Sequence, residues 1–341
     1  MRRLKKHVLV TGGAGYIGSA LIPSLLDAGY NVTVFDTFYF GREPICKFKS
    51  KIRVITGDIR NPPAFLCKGI YAVIHLAALS NDPTAEFNPV ANMQINRDGA
   101  ITIARLAKRS KVKRFIFASS CSIYDTGTHA GNIQLKEDAV VHPKNPYSRS
   151  KFLAEQEILK LGTNQFIVTI LRKGTVYGFS PRMRYDLIIN TMVRDALRQK
   201  RVHVFSKGLQ WRPLISIEDV VEAYTTVLSS PSSSIKNQIF NIAEHNYQVK
   251  EVADIIVSVF KELYQLKLKK DFSQDTRADR SYQVSIAKAK QMLGYIPKHR
   301  IADILPSLVR SIQSRKKYMH YFLPIYYNIQ HMKPILEKME K

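Results

Sequence analysis

Apolar and polar positions follow two alternating patterns through the first half of this chain. Short runs of consecutive apolar, often β-branched residues occur at 8–11, 31–35, 51–56, 72–77, 113–118 and 166–171, and each predicts a buried strand. Between them lie stretches whose apolar residues recur three and four apart, the helical spacing. The first covers residues 19–29 and stops at Gly29. The second covers 89–109, with Ile95, Ala100, Ile103, Ala104 and Leu106 on one face. The third runs from Tyr147 to about Leu161. Strand–helix alternation of this kind predicts an α/β fold with a Rossmann-type, doubly wound parallel sheet, whose ligands lie at the carboxyl ends of the strands. Polar or small residues sit at or near those ends: Asp36, Asp58, Ala77, Ser119, Ser120 and Arg172.

Past Gly178 the pattern loosens. Helices are expected at 185–200, 217–228, 249–263 and 286–293, and short strands at 202–205 and 211–217. The run 238–243 is apolar enough to return to the main sheet. The chain therefore divides into a Rossmann domain, residues 1–178 plus about 213–245, and a smaller C-terminal α/β domain, about 179–212 plus 246–314. Residues 315–341 form a basic extension carrying Tyr318, Tyr321, Phe322, Tyr326 and Tyr327, in which Pro324 and Pro334 preclude one long helix. It is expected to pack on the body or on a second subunit, with contact to a membrane surface as the alternative.

The first strand runs directly into Gly12-Gly-Ala-Gly15-Tyr-Ile-Gly18 and then into a helix. Strand, glycine-rich turn and helix together are the setting of a dinucleotide site. Gly12 allows a tight turn. Gly15 lets the backbone approach a pyrophosphate at the helix N-terminus, where free N–H groups and the dipole favour an anion. Gly18 lets helix pack closely on strand. The second strand ends in Asp36, 21 residues past Gly15, the place of the acid that holds an adenosine ribose. A carboxylate there accepts from both ribose hydroxyls and repels a 2′-phosphate, so NAD is expected rather than NADP. Arg42 works against that preference.

Composition narrows the field. The chain has 341 residues, 45% of them hydrophobic, which suits a globular protein with a substantial core. No apolar run approaches the roughly 20 residues of a membrane span. The basic residues 2–6 lead straight into the first strand, so no signal peptide is expected. Cys46, Cys67 and Cys121 are odd in number and lack C-x-x-C spacing, which predicts a reducing, cytoplasmic setting and no metal site. The net charge of +25 is dispersed, with denser patches at 2–6, 105–114, 261–270 and 310–317. With no zinc finger or RNP-type motif, it reads as a solvated basic surface rather than a specific nucleic-acid interface.

Tyr147-Ser-Arg-Ser-Lys151 puts a phenol and an ammonium four residues apart, on one helix face. A lysine cation beside a tyrosine favours the phenolate, so Tyr147 is expected to act as a base. The motif lies downstream of the glycine-rich turn and of Ser119-Ser120 at a strand end, and that combination points to catalysis.

Together Gly12-x-x-Gly15-x-x-Gly18, Asp58-Ile59, His75-Leu-Ala-Ala78, Ser119-Ser120-x-x-Ile123-Tyr124, Tyr147-x-x-x-Lys151 and Leu171-Arg-x-x-x-Val-Tyr-Gly178 resemble the extended short-chain dehydrogenase/reductases. The nucleotide-sugar epimerase and dehydratase branch, UDP-glucose 4-epimerase-like, fits best, in register from about residue 7 to 306. The late Lys288-x-x-x-x-Leu293-Gly294-Tyr295-x-Pro297 segment is included. The resemblance implies that Ser120 hydrogen-bonds the reacting sugar hydroxyl, Tyr147 removes its proton and Lys151 holds the nicotinamide ribose. It implies that Asp58 and Ile59 hold the adenine. Tyr16, Ile17, Leu76, Ala77, Ala78 and Val176 would line the cofactor, and Asn96 matches an asparagine of the fold. For a nucleotide-diphosphate sugar held by the smaller domain, it implies contacts from Thr175, Asn190 and Arg212, with Arg277 or Arg280 as a second phosphate ligand. It also implies a homodimer through the helices near 89–109 and 147–161.

Two departures from the family pattern stand out. Dehydratases carry Asp-Glu after the catalytic Thr, where this chain has Cys121-Ser122, so 4,6-dehydration is not expected. Asp125 stands where Gly is usual. The resulting expectation is an NAD-dependent epimerase acting through a transient keto-sugar. The alternatives are a nucleotide-sugar oxidoreductase or dehydratase of the same family, and a non-catalytic nucleotide- or RNA-binding protein. Retention of Ser120, Tyr147 and Lys151 speaks against the last.

Overall fold

The computed structural model describes residues 5–125, 133–273 and 281–339. Five of its first strands are β1 (His7–Thr11), β2 (Asn31–Asp36), β3 (Ile52–Thr56), β4 (Ala72–His75) and β5 (Arg114–Ser120). With Ile167–Lys173 and Gln238–Ile242 they form one seven-stranded sheet in which every pairing is parallel. From one edge the order is Gln238–Ile242, Ile167–Lys173, β5, β4, β1, β2, β3. The order reverses between β1 and β4, and the crevice outside that switch point is where such sheets bind ligands.

Alternate residues of each strand face opposite layers, as the pleat requires. Val8, Val10, Val32, Val34, Ile74 and Ile116 join the buried faces of α1 (Tyr16–Asp27) and Ile217–Ser229. Leu9, Phe35, Val73, Phe115, Phe117 and Val168 join the helices on the other side. These are α2 (Asp82–Phe87), α3 (Pro89–Met93), α4 (Ala100–Arg109) and α5 (Pro146–Lys160). The result is a three-layer sandwich. The run 238–243 does return to the main sheet, beside Ile167–Lys173.

Several elements differ from expectation for local reasons. The helix expected over 89–109 contains a π-helical turn, Gln94–Gly99, between α3 and α4. At that turn Gly99 lies against Ile59, whose Cγ1 would be 2.8 Å from a Cβ. The helix expected from 185 starts at Ile188, and the segment before it alternates between the cleft, which Arg182, Arg184 and Asp186 line, and the core, which Met183 and Tyr185 enter. An additional helix, Ile301–Gln313, buries Ile301, Ile304, Leu305, Leu308, Val309 and Ile312.

The extension packs on the body. Tyr185 donates to the Tyr318 carbonyl at 2.6 Å, Tyr318 to the Pro181 carbonyl at 3.0 Å, and Arg194 to the Tyr327 hydroxyl at 2.6 Å. Its final helix, Asn328–Glu337, sends Met332 and Leu336 into the same core cluster as Leu9 and Phe35. Met319, Phe322 and Leu323 remain exposed on the outer side. Among the described residues no helix is long and apolar enough to cross a membrane. All three cysteines are free thiols.

Candidate active site

A cleft of about 580 Å³ opens at the carboxyl ends of the strands. Its floor is the turn after β1. Gly12 has φ +70°, and a Cβ there would lie 2.6 Å from the Ala77 nitrogen. A Cβ on Gly18 would lie 2.5 Å from the Gly12 carbonyl oxygen, so the close seating of α1 on the turn requires glycine there. The Gly15 amide donates back to Gly12, and α1 begins after Gly15 with no side-chain cap. Its first-turn N–H groups therefore suit an anion in the cleft.

Gly12, Gly15, Tyr16, Ile17, Gly18, Asp36, Asp58, Ile59, Leu76, Ala77, Ala78, Ser120, Tyr147, Lys151, Thr175, Val176 and Arg212 all line this one cleft. Segments far apart in sequence are thus convergent, as the strand-end argument predicts. Asp36 accepts from the backbone nitrogens of Ala14 at 2.9 Å and Phe38 at 2.8 Å, which ties the end of β2 to the glycine turn. Burial nonetheless raises its carboxyl pKa. Asp58 forms a 2.6 Å ion pair with Arg60. Its pKa is lowered: burial pushes upward, and the Arg60 bonds outweigh it. Arg42 is stacked 4.4 Å from the Phe38 ring centroid and donates to Thr56, so the chain itself occupies the cation that weighed against NAD.

Another wall of the cleft is built at the start of α5. Asn145 caps the helix by accepting from the Tyr147 nitrogen at 2.8 Å, which fixes the phenol at the cleft's edge. Ser120, the last residue of β5, hydrogen-bonds the Tyr147 phenol. Lys151, one turn further along α5, donates to the Ala118 carbonyl at 3.0 Å. Asn96, at the π-helical turn, holds both the N–H and the C=O of Leu79 and so fixes the loop beyond β4.

Two expectations are corrected here. Tyr147 is not primed by Lys151 in this structure: burial pushes its phenol up to about 12, and Arg184 and Ser120 supply the opposing pull. Lys151 is itself brought down to about 7, chiefly by desolvation and then by Lys173. Asn190 lies outside the cleft, fully buried. Its Oδ1 accepts from the Gly178 nitrogen, and its Nδ2 donates to the Tyr16 hydroxyl and the Arg184 carbonyl. It supports the cleft wall rather than facing a nucleotide. Arg277 and Arg280 lie outside the described residues.

Other cleft residues had no expectation attached to them. Lys173 donates to the Ser119 carbonyl at 2.6 Å and is brought down to about 8 by desolvation. Arg182, Arg184 and Asp186 come from the segment after Gly178, and Asn328, Ile329 and Met332 come from the extension. The alternating charges of Arg182-x-Arg184-x-Asp186 just past a strand end were a usable signal. Nothing local in the sequence marks the extension residues. Arg172 pairs with Glu155 at 2.7 Å and donates to the Tyr124 hydroxyl at 2.8 Å, behind the cleft. Cys121 is buried, its thiol pushed up to about 12 by burial, and it donates to the Arg172 carbonyl.

The NAD-dependent epimerase/dehydratase family model matches residues 8–243. A UDP-glucose epimerase of Bacillus subtilis, YtcB, described as uncharacterized, is 30% identical over 328 residues, covering 90% of this chain and 98% of that protein. UDP-glucuronic acid decarboxylase 1 of Danio rerio is 27% identical over 303 residues, covering 86% of this chain and 69% of that one. The crystal structure of UDP-glucuronic acid 4-epimerase from Bacillus cereus, in complex with UDP-glucuronic acid and NAD, superposes with a TM-score of 0.78. Its identity is 25%, and the match covers 93% of this chain and all of that one.

Proposed function

We propose, from the premise that this chain belongs to the NAD-dependent epimerase/dehydratase family, that it inverts a hydroxyl-bearing carbon of a nucleotide-diphosphate sugar through a transient keto-sugar. The residues around the cleft fit the cofactor. Gly12 and Gly18 admit no Cβ, α1 offers uncapped N–H groups, and Asp36 stands at the ribose end. NAD, when bound, supplies the hydride acceptor and donor. Gly12, Gly15, Gly18, Tyr16 and Ile17 would hold its phosphates, Asp36 its adenosine ribose, Asp58 and Ile59 its adenine, and Lys151 its nicotinamide ribose.

The chain's own residues do the rest. Ser120 orients the reacting hydroxyl, and Tyr147 takes its proton and later returns it. A base buried at pKa about 12 is a poor proton acceptor near neutrality. Positive charge close to the phenol, from Arg184 and the nicotinamide ring, would bring it toward working pH. Arg212 and Thr175 would hold the sugar nucleotide. The observation that carries this reading is the convergence of Ser120, Tyr147 and Lys151 on the wall of the cleft that the glycine turn floors.

Epimerisation is preferred to dehydration because the residues after Ser120 offer no acid. Cys121 is buried and bonded to Arg172, and Ser122 accepts from the Ser148 hydroxyl at 3.0 Å. UDP-sugars are the first substrates to test, given the names of the relatives. The enzyme is further proposed to act as a homodimer, through α4 and α5, which pack side by side on one face of the sheet.

The test is incubation of the purified protein with UDP-glucose, UDP-glucuronic acid, and GDP- and dTDP-sugars, with products read by NMR and mass. An epimer of unchanged mass is expected, and Tyr147→Phe should lower kcat by at least about 10²-fold. Loss of water or carbon dioxide, or stoichiometric NADH, would replace the reading with another reaction of the family. Full turnover by Tyr147→Phe would remove the proposed base.

A further inference from the structure

Arg182 is a buried cation whose hydrogen bonding is incomplete. It is 4% exposed, its guanidinium stacks 3.7 Å from the Phe40 ring centroid, and its Nη2 donates to the Asn328 Oδ1 at 2.6 Å. Its Nη1 is buried with no hydrogen-bond partner among the described residues. The nearest carboxylate is committed elsewhere. Asp186 takes Arg184 on both oxygens at 2.9 Å and also accepts from the Asn328 nitrogen and the Asn81 side chain. Desolvation, with the neighbouring Arg184, brings the Arg182 guanidinium down to about 9. A buried guanidinium with an unfilled N–H is costly unless an anion completes it.

Its location indicates which anion. Arg182 lines the cleft, two residues beyond Ser180. The Ser180 hydroxyl donates to the Tyr16 carbonyl at 2.6 Å and bonds the Ser19 hydroxyl at 2.9 Å. The segment carrying Arg182 is therefore laced to the first turn of α1, the end of the helix that receives a dinucleotide pyrophosphate. Phe40, on which Arg182 stacks, lies just beyond Asp36 at the adenosine end. Asn328 comes from the extension, outside the region matched by the family model, and also donates to the Ser80 hydroxyl at 3.0 Å.

We propose that Arg182, aimed by Asn328 of the C-terminal extension, is a ligand for the diphosphate of the bound dinucleotide. The extension is then part of the cofactor site rather than an appendage. Guanidinium suits the task because its planar fork can keep Asn328 on one nitrogen and meet a phosphate oxygen with the other. The proposal rests on the cofactor, not on which sugar reaction the enzyme performs.

The test uses the full chain stripped of nucleotide and titrated calorimetrically with ADP-ribose, adenosine and UDP. Adenosine reports the Asp36 and Asp58 end without phosphate, and UDP reports the diphosphate of a sugar nucleotide. Arg182→Gln should weaken ADP-ribose by about tenfold or more, the size of one charged hydrogen bond, and leave adenosine and UDP within about twofold. Asn328→Ala should give the same pattern at smaller amplitude, and it keeps the test decisive if Arg182→Gln does not fold. Equal losses for adenosine would make Arg182 purely structural. A loss confined to UDP would assign it to the sugar nucleotide, and no loss for ADP-ribose would end the proposal.

Discussion

Lys151 carries the sharpest consequence at the scale of single residues. Buried under Phe117 and held by the Ala118 carbonyl, it has a folded-state pKa of about 7. In the unfolded chain a lysine titrates near 10.4. Between those values the unfolded state holds a proton that the folded state has lost, so stability rises with pH across that window. In nucleotide-free protein, wild-type stability relative to Lys151→Met should therefore climb from about pH 7 to about pH 9, on the order of 1 kcal/mol per pH unit. Urea unfolding at several pH values measures it, and a flat difference would mean that Lys151 is not desolvated. The sequence singled out Tyr147 and Lys151 as candidates, because they share a helix face by spacing alone, and both line the cleft. It could not reveal their ionisation, which is a property of everything packed around them. Asn190 illustrates the same limit: its residue type suits a ligand contact, but its neighbours Gly178, Tyr16 and Arg184 use its whole amide.

Arg172 and Glu155 matter at the scale of elements. The pair, 2.7 Å apart and almost wholly buried, joins the strand Ile167–Lys173 to α5, the helix that carries Tyr147 and Lys151. Removing one partner leaves an uncompensated buried charge. Arg172→Met should cost about 3–5 kcal/mol in chemical denaturation, and adding Glu155→Leu should recover much of it. A single variant as stable as the wild type would show the pair to be dispensable. Most elements were legible because a two-sided sheet and its helices impose periodicities that composition alone cannot disguise. The exceptions share a cause. At the π-helical turn Gln94–Gly99, Gly99 meets Ile59 from another segment. Ile301–Gln313 has helical apolar spacing, but Pro306 in its middle interrupts the local signal, and tertiary burial overrides it.

The whole molecule carries a net charge of +25, and several of its basic residues line the cleft. Arg182, Arg184, Lys151 and Lys173 are among them, and they concentrate positive potential where an anionic ligand would sit. The proposed homodimer is checked by sedimentation of the full chain. A dimer should persist to low micromolar concentration, and charge reversal at Arg105 and Lys108, exposed on α4, should shift it toward monomer while leaving the fold intact. A monomer at every concentration would remove the dimer from the reading. The primary structure by itself determined the doubly wound sheet, the glycine turn, the acid after β2 and the serine–tyrosine–lysine set. The sheet, the turn, the acid and the Tyr147–Lys151 pair are written in local spacing, which strand and helix geometry sets, and Ser120 was marked by its strand end and by the family resemblance. Only the tertiary structure decided that residues 182–186 and the extension complete the cleft and that burial resets the ionisation of Tyr147 and Lys151. Contacts between residues far apart along the chain leave no periodic trace, and desolvation exists only once the chain has closed around a group.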